Sequence, residues 1–245
     1  RRVPSSLRTG AFLSPLRVHP STGEDYGPTS TRQFLDLMKQ STPFVDGIDK
    51  GSSLTATSWD HYGVPESLFN KSSFRSDGYP AFLPTFKTDW GTDQFVSVKA
   101  TIGLGGSFVE EGEYLATWSG SGQLMFQGDA ELLNTTGNTA YVKVNPSTGV
   151  VVRLVATDAE DPLHSLSLVP VAHMQPSSTP TFHPQFLKSL ESATVLRFTG
   201  WQLIDAWDIN SRSWASRTAT TAQTQAGPGG VAIEHMIELA NTLGA

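Results

Sequence analysis

The chain has 245 residues, a formal charge of −6, 16% charged residues and no cysteine. It is long enough to bury a core unaided, and the missing cysteines exclude a disulfide framework, a thiolate metal site and a cysteine nucleophile. The acidic balance excludes a phosphate-backbone partner, so no nucleic acid is expected, and no apolar run approaches the ~20 residues of a membrane span. With 22 Gly and 15 Pro, and many Ser and Thr besides, the composition favours a turn-rich, mainly β architecture.

Residues 1–75 read as an extended arm with one short helix. The first 31 residues are rich in Pro, Ser, Thr and Gly and lack periodicity. Residues 31–40 then place Phe34, Leu37 and Met38 at helical spacing behind a Ser30 or Thr31 cap, and Pro43 ends the run. Between residues 46 and 79, Trp59, Tyr62, Phe69 and Phe74 are expected to anchor a turn-rich stretch on a neighbouring surface.

Residues 76–176 change character. Runs of β-branched and aromatic residues at 95–100, 112–118, 123–126, 139–144, 150–156 and 164–170 are separated by turn formers, among them 119–122 and 134–138. Six strands at this spacing predict an antiparallel β-sandwich, jelly-roll-like.

Residues 177–245 predict a linker, a short helix at 185–191, a strand at 194–198, a long Ser and Thr rich loop, and a helix at 231–243. Ala232, Met236, Leu239 and Leu243 form the apolar stripe of that last helix. Strand, loop and helix make a single βα unit resembling the start of an α/β barrel. Val195, Leu196 and Phe198 form a nearly continuous apolar run, as in a strand buried on both faces of a parallel sheet. One strand is no sheet, so its cover and the helix's are expected from sequence beyond Ala245 or from a partner subunit by self-association, in preference to the sandwich and arm.

The residues richest in chemistry follow that strand: Trp201, Asp205, Asp208, Asn210, Trp214 and Arg217. Aromatic faces with acidic and basic groups suit sugar stacking and hydroxyl hydrogen bonding, although a loop folded back on its own helix would use the same residues. Trp90, Tyr114 and Trp118 could form an aromatic platform on the sandwich. Strand alternation puts Tyr114 and Trp118 on one face, however, which equally suits core packing.

Asn70-Lys71-Ser72 and Asn134-Thr135-Thr136 are glycosylation sequons, with Asn134 the better exposed in a turn. The six histidines, at 19, 61, 164, 173, 183 and 235, show no helix-borne pair spacing. No metal site and no cofactor are therefore expected. Asp158, Glu160 and Asp161 read as a solvated acidic turn in preference to a calcium loop, and residues 103–107 lack the Lys and helix of a phosphate loop.

Several segments taken in order resemble a group of secreted, mostly bacterial multidomain proteins in which a β-sandwich precedes a glycoside-hydrolase-like (β/α) barrel. They are Phe34 to Ser41, Asp77-Gly78-Tyr79-Pro80, Gly112-Glu113-Tyr114 with Gly120-Ser121-Gly122, Phe182-His183-Pro184 with Phe186-Leu187, and Val195-Leu196-Arg197-Phe198 with Trp201. Trp214, Arg217, Gly230 and the run Glu234 to Asn241 complete the match. The resemblance covers the amino-terminal part of such proteins and implies a secreted or cell-surface protein that binds or acts on polysaccharide. It departs at Gly200, where relatives carry an acidic residue. The two carboxylates of a glycosidase would lie on later barrel strands, and no catalytic residue is recognisable here. The alternative is a structural subunit of an extracellular filament, sheath or surface layer without chemistry of its own.

Overall fold

The computed structural model describes residues 10–12, 32–46, 73–87, 93–95, 97–103, 109–175, 179–203 and 213–245. The anchors expected at Trp59, Tyr62 and Phe69 lie outside them. Fourteen strands are described: β1 (Gly10–Phe12), β2 (Val45–Asp46), β3 (Ser73–Phe74), β4 (Pro80–Phe82), β5 (Thr85–Lys87), β6 (Asp93–Phe95) and β7 (Val98–Ile102), then β8 (Gly112–Ser119), β9 (Gly122–Gly128), β10 (Ala130–Thr136), β11 (Thr139–Val144), β12 (Val150–Thr157), β13 (His164–Pro170) and β14 (Val195–Arg197). The helices are α1 (Pro184–Leu190), α2 (Thr199–Gln202) and α3 (Ile233–Leu243), none of them long and apolar enough to cross a membrane.

Two four-stranded antiparallel sheets, ordered β10-β11-β8-β13 and β2-β7-β12-β9, form the expected sandwich. Period-two alternation sends Tyr114, Ala116 and Trp118 of β8, and Ala140, Val142 and Val144 of β11, into one core with Val98, Ala100 and Ile102 of β7 and Val150, Val152 and Leu154 of β12. The chain passes repeatedly from sheet to sheet, as in a jelly roll. The tightest corner is the single residue Asp129 between β9 and β10. There Gly128 adopts φ +71°, and a side chain at that position would collide with the Gly149 carbonyl. Asp129 accepts hydrogen bonds from the backbone N–H groups of Ser147, Thr148 and Gly149 at 2.6–2.7 Å, fixing the next loop.

Two expectations of local structure are corrected. Residues 134–136 belong to the edge strand β10, and the turn is only Gly137–Asn138, with Gly137 at φ +56°. Turn-forming Asn and Thr are tolerated in β10 because it is exposed at a sheet edge. The helix expected at 31–40 shrinks to a 3₁₀ turn, Leu37–Gln40. Phe34 is drawn away to bridge Phe182, whereas Leu37 and Met38 enter the sandwich core, so the three cannot share one helical face. By contrast, β14 is expected to lack cover from this chain alone, and it is not buried on both faces. It pairs in parallel with β1, and Val195 is 45% exposed.

The carboxyl-terminal part has its own core, in which Trp201 sits among Phe34, Phe182, Phe186, Phe198, Met236 and Leu239. Met236 and Leu239 are buried by this chain's own residues, so the inner face of α3 is covered without a partner, contrary to expectation. Its opposite face leaves Ile233 and Ile237 exposed.

Residues 32–46 tie the two cores together. Leu35 N–H donates to the Thr181 carbonyl and His183 N–H to the Gln33 carbonyl, both at 3.0 Å. The Asp36 carboxylate accepts from both Met38 N–H and Leu168 N–H.

Candidate functional site

A polar cluster lies where the sandwich meets the second core. Glu110 stands in the approach to β8, His173 in a 3₁₀ turn (Val171–His173) after β13, and His183 caps α1 ahead of Pro184. Arg32, almost wholly buried, is fixed by the Leu35 carbonyl at 2.6 Å and the Phe34 carbonyl at 3.3 Å. Its Nη1 lies 3.3 Å from Glu110 Oε2, which His173 Nε2 also approaches at 3.1 Å. On the other carboxylate oxygen, His183 Nε2 lies 2.8 Å from Oε1, but outside hydrogen-bond alignment. The Tyr114 hydroxyl donates to the Glu110 backbone carbonyl at 2.9 Å and thereby sets the carboxylate's position.

Burial pushes the Glu110 carboxyl up, but the Arg32 guanidinium, His183 and His173 outweigh it and hold the group below the usual carboxylate range. Burial, followed by the Arg32 charge, pushes His183 down despite Glu110. At neutral pH the cluster therefore contains an ionised carboxylate, a guanidinium and an imidazole held neutral. The His183 ring has its Nδ1 turned to accept the Gln185 N–H at 3.2 Å, so its proton resides on Nε2. Helix-borne spacing rules cannot see this group, because its members come from three irregular segments. The one local signal was His183-Pro184 at a helix start, which marks a capping histidine with a constrained ring.

The aromatic residues expected to bind sugar divide sharply. Trp201 is completely buried, and its indole N–H donates to Gln33 Oε1 at 3.0 Å. Phe34, Phe182 and Phe186 lie nearly parallel to it, with centroids 5.8–6.3 Å away. It is a core residue and presents no face to a ligand. Trp118 likewise points into the sandwich, so it forms no surface platform. Trp90, Asp205, Asp208 and Asn70 lie outside the described residues. Asn134 is exposed on β10.

Trp214 and Arg217 do come together at the surface. Trp214 opens a 3₁₀ turn (Trp214–Ser216) closed by a reciprocal Ser213–Ser216 cap, and it is 68% exposed. The Arg217 guanidinium lies 4.0 Å from the indole centroid, and its Nη2 donates to Glu234 Oε1 at 2.6 Å. That hydrogen bond holds Glu234 below the usual carboxylate range.

An open groove of about 670 Å³ lies at the other side of the sandwich, lined by Phe82, Leu83, Ser121, Gln123, Ala156 and Asp158. No family model matches the chain, and no curated protein or solved structure matches it either.

Proposed function

We propose that this is an extracellular carbohydrate-associated protein that holds polysaccharide through the surface formed by Trp214, Arg217 and Glu234. The observation that carries this reading is the exposure of Trp214 on a rigidly capped turn. A large flat apolar ring held in water with a charged pair beside it combines a stacking face with hydroxyl-directed hydrogen-bonding groups. The Arg217–Glu234 pair orders the indole from one side and leaves its remaining edge and face for a pyranose ring. Glu234, the carboxylate of this surface, is tied up by Arg217, and the role proposed for these residues is binding.

The β14 to α3 segment is, in the same proposal, the opening unit of an α/β layer like that of a glycoside-hydrolase-like barrel. The parallel pairing of β14 with β1 supports this, as do exposed Val195, Ile233 and Ile237, which have apolar area left to cover.

The test is affinity electrophoresis and pull-down on a panel of soluble and insoluble polysaccharides, comparing the native protein with Trp214→Ala. Retention of the native protein by at least one glycan, and its loss in a folded Trp214→Ala variant, is expected. Equal retention of both proteins would sink the proposal, as would no retention on any glycan.

A second reading, a structural subunit of an extracellular assembly, draws on one observation. Among the described residues β10 is an edge strand that exposes Leu132 and Leu133 beside Tyr141 of β11, an edge suited to pairing with another chain. Concentration-dependent size-exclusion chromatography of native protein and Leu133→Lys separates the two: self-association abolished by the lysine supports assembly.

A further inference from the structure

We propose that Glu110, His173 and His183 bind a divalent transition-metal ion of the zinc type, through the Glu110 carboxylate and the two imidazole Nε2 atoms. Their ligand atoms all lie within 4.8 Å of one another. The carboxylate turns Oε1 to His183 Nε2 at 2.8 Å and Oε2 to His173 Nε2 at 3.1 Å, each close to the ~3.3 Å expected between ligands placed tetrahedrally about 2.0–2.1 Å from an ion. Two imidazoles and one carboxylate form a donor set of intermediate softness, matched to zinc and its neighbours better than to magnesium or calcium.

A second observation points to a ligand independently. His183 is 1% exposed, and its buried Nε2 points at the cluster, 2.8 Å from Glu110 Oε1 but without the alignment of a good hydrogen bond. Native proteins seldom leave a buried polar atom in this state, and an ion would occupy it. Arg32 opposes the ion by its charge, but it sits on Glu110 Oε2 and orients the carboxylate so that Oε1 faces His183. It would act as an outer partner of the ligating carboxylate. Glu110 and His173 are each about one-third exposed, which gives solvent a path to a fourth position.

Ligation has a structural consequence that a loosely held surface ion would lack. To bind through Nε2, His183 must shift its proton to Nδ1, where it meets the Gln185 N–H that now donates to that atom. Metal binding therefore dissolves the cap on α1 while it joins the loop before β8, the turn after β13 and the start of α1.

The experiment uses the full chain, stripped with EDTA and titrated with Zn²⁺ by calorimetry. Co²⁺ serves as the spectroscopic probe, and Gln185 is followed by amide hydrogen exchange. Expected are one ion per chain, a Tm rise reversed by EDTA, intense visible Co²⁺ bands unlike those of the aqua ion, and faster exchange at Gln185. Because His183 also caps a helix, the variants tested are His173→Gln and Glu110→Gln, with folding verified by circular dichroism. Outer-shell losses alone cost about 10–100-fold in affinity, so loss of a ligand is expected to weaken Zn²⁺ binding by at least ~100-fold. Zn²⁺ affinity unchanged in folded His173→Gln, or a Co²⁺ spectrum identical to the aqua ion, overturns the proposal.

Discussion

The sandwich and the carboxyl-terminal core are built on different principles. In the sandwich, neighbouring strands satisfy the backbone, and the core is built largely of aliphatic side chains set by alternation, with Tyr114 and Trp118 among them. The second core has almost no ladder, and side-chain amides take its place. Gln40 Oε1 accepts the N–H groups of both Gln33 and Phe34 at 2.8 Å, and Gln225 Oε1 accepts Ala232 N–H at 2.7 Å. Lys39 Nζ donates to the carbonyls of Thr220 and Ala222 at 2.9 and 2.7 Å. Irregular buried backbone has the same hydrogen-bonding demand as a strand, and here individual side chains meet it. Redundancy therefore belongs to the sandwich, and specificity of single residues to the second core.

The largest effect expected from this contrast is at Trp201. Trp201→Ala empties the centre of an aromatic cluster and removes the indole N–H that donates to Gln33 Oε1, so urea unfolding should show a loss of about 3–5 kcal/mol. Val142→Ala in the sandwich removes two buried methyl groups, roughly 1.6 kcal/mol at ~0.8 per group. If the two losses are equal, the second core is as redundant as the first and the contrast fails.

Next in size is Gln223, whose Nε2 donates to Ser41 Oγ at 2.7 Å while its Oε1 accepts Phe44 N–H at 3.3 Å. Gln223→Met keeps the shape and strands those partners, for an expected loss of about 1–3 kcal/mol. A neutral result would mean that packing, rather than hydrogen bonding, joins this segment to residues 41–44.

The sandwich also has a corner held by a polar side chain, Asp129. Burial pushes the Asp129 carboxyl up, but the N–H groups of Ser147, Gly149 and Thr148 outweigh it and hold the group below its ordinary value. A depressed folded value means that the stabilisation is fully present above the unfolded carboxylate range, about 3.9, and is lost as pH falls through the folded value. Asp129→Asn removes that dependence. The Tm difference between native protein and variant should be constant near neutral pH and shrink below about pH 4; a gap that widens on acidification would refute the sign.

What the sequence disclosed follows the same division. Alternation at 112–118 and 139–144 located β8 and β11 closely, because one rule governs every residue of a half-buried strand. The stripe of Met236 and Leu239 located α3. The reading failed where adjacent residues serve different partners: Phe34 and Leu37 look like one helical face yet enter separate cores. Trp201 and Trp214 look alike in a list of aromatic residues, and only tertiary contacts make one a core centre and the other a surface group. The Glu110, His173 and His183 cluster had no local pattern at all, since it exists only once β8 and β13 lie side by side and residues 32–35 pair with 181–183.

The smallest effect on stability is expected at Trp214, and it is the one that bears most on function. The ring is 68% exposed, and its described partner is the Arg217 guanidinium, itself in water. An exposed cation–π contact contributes about 0.5–1 kcal/mol at most, and surface truncations away from caps and cores usually fall within about 0.5 kcal/mol. The turn that carries Trp214 is held by the Ser213 and Ser216 hydroxyls, which the substitution leaves in place. Trp214→Ala should therefore unfold at the same urea midpoint as the native protein to within about 0.5 kcal/mol, the reverse of Trp201→Ala thirteen positions earlier. A loss comparable to that of Trp201 would make Trp214 a structural residue packed against segments of the chain around it, and would remove the reason for assigning it to ligand binding. An unchanged midpoint means that the ring is kept in water at no benefit to the fold, which leaves it available for the contact proposed above.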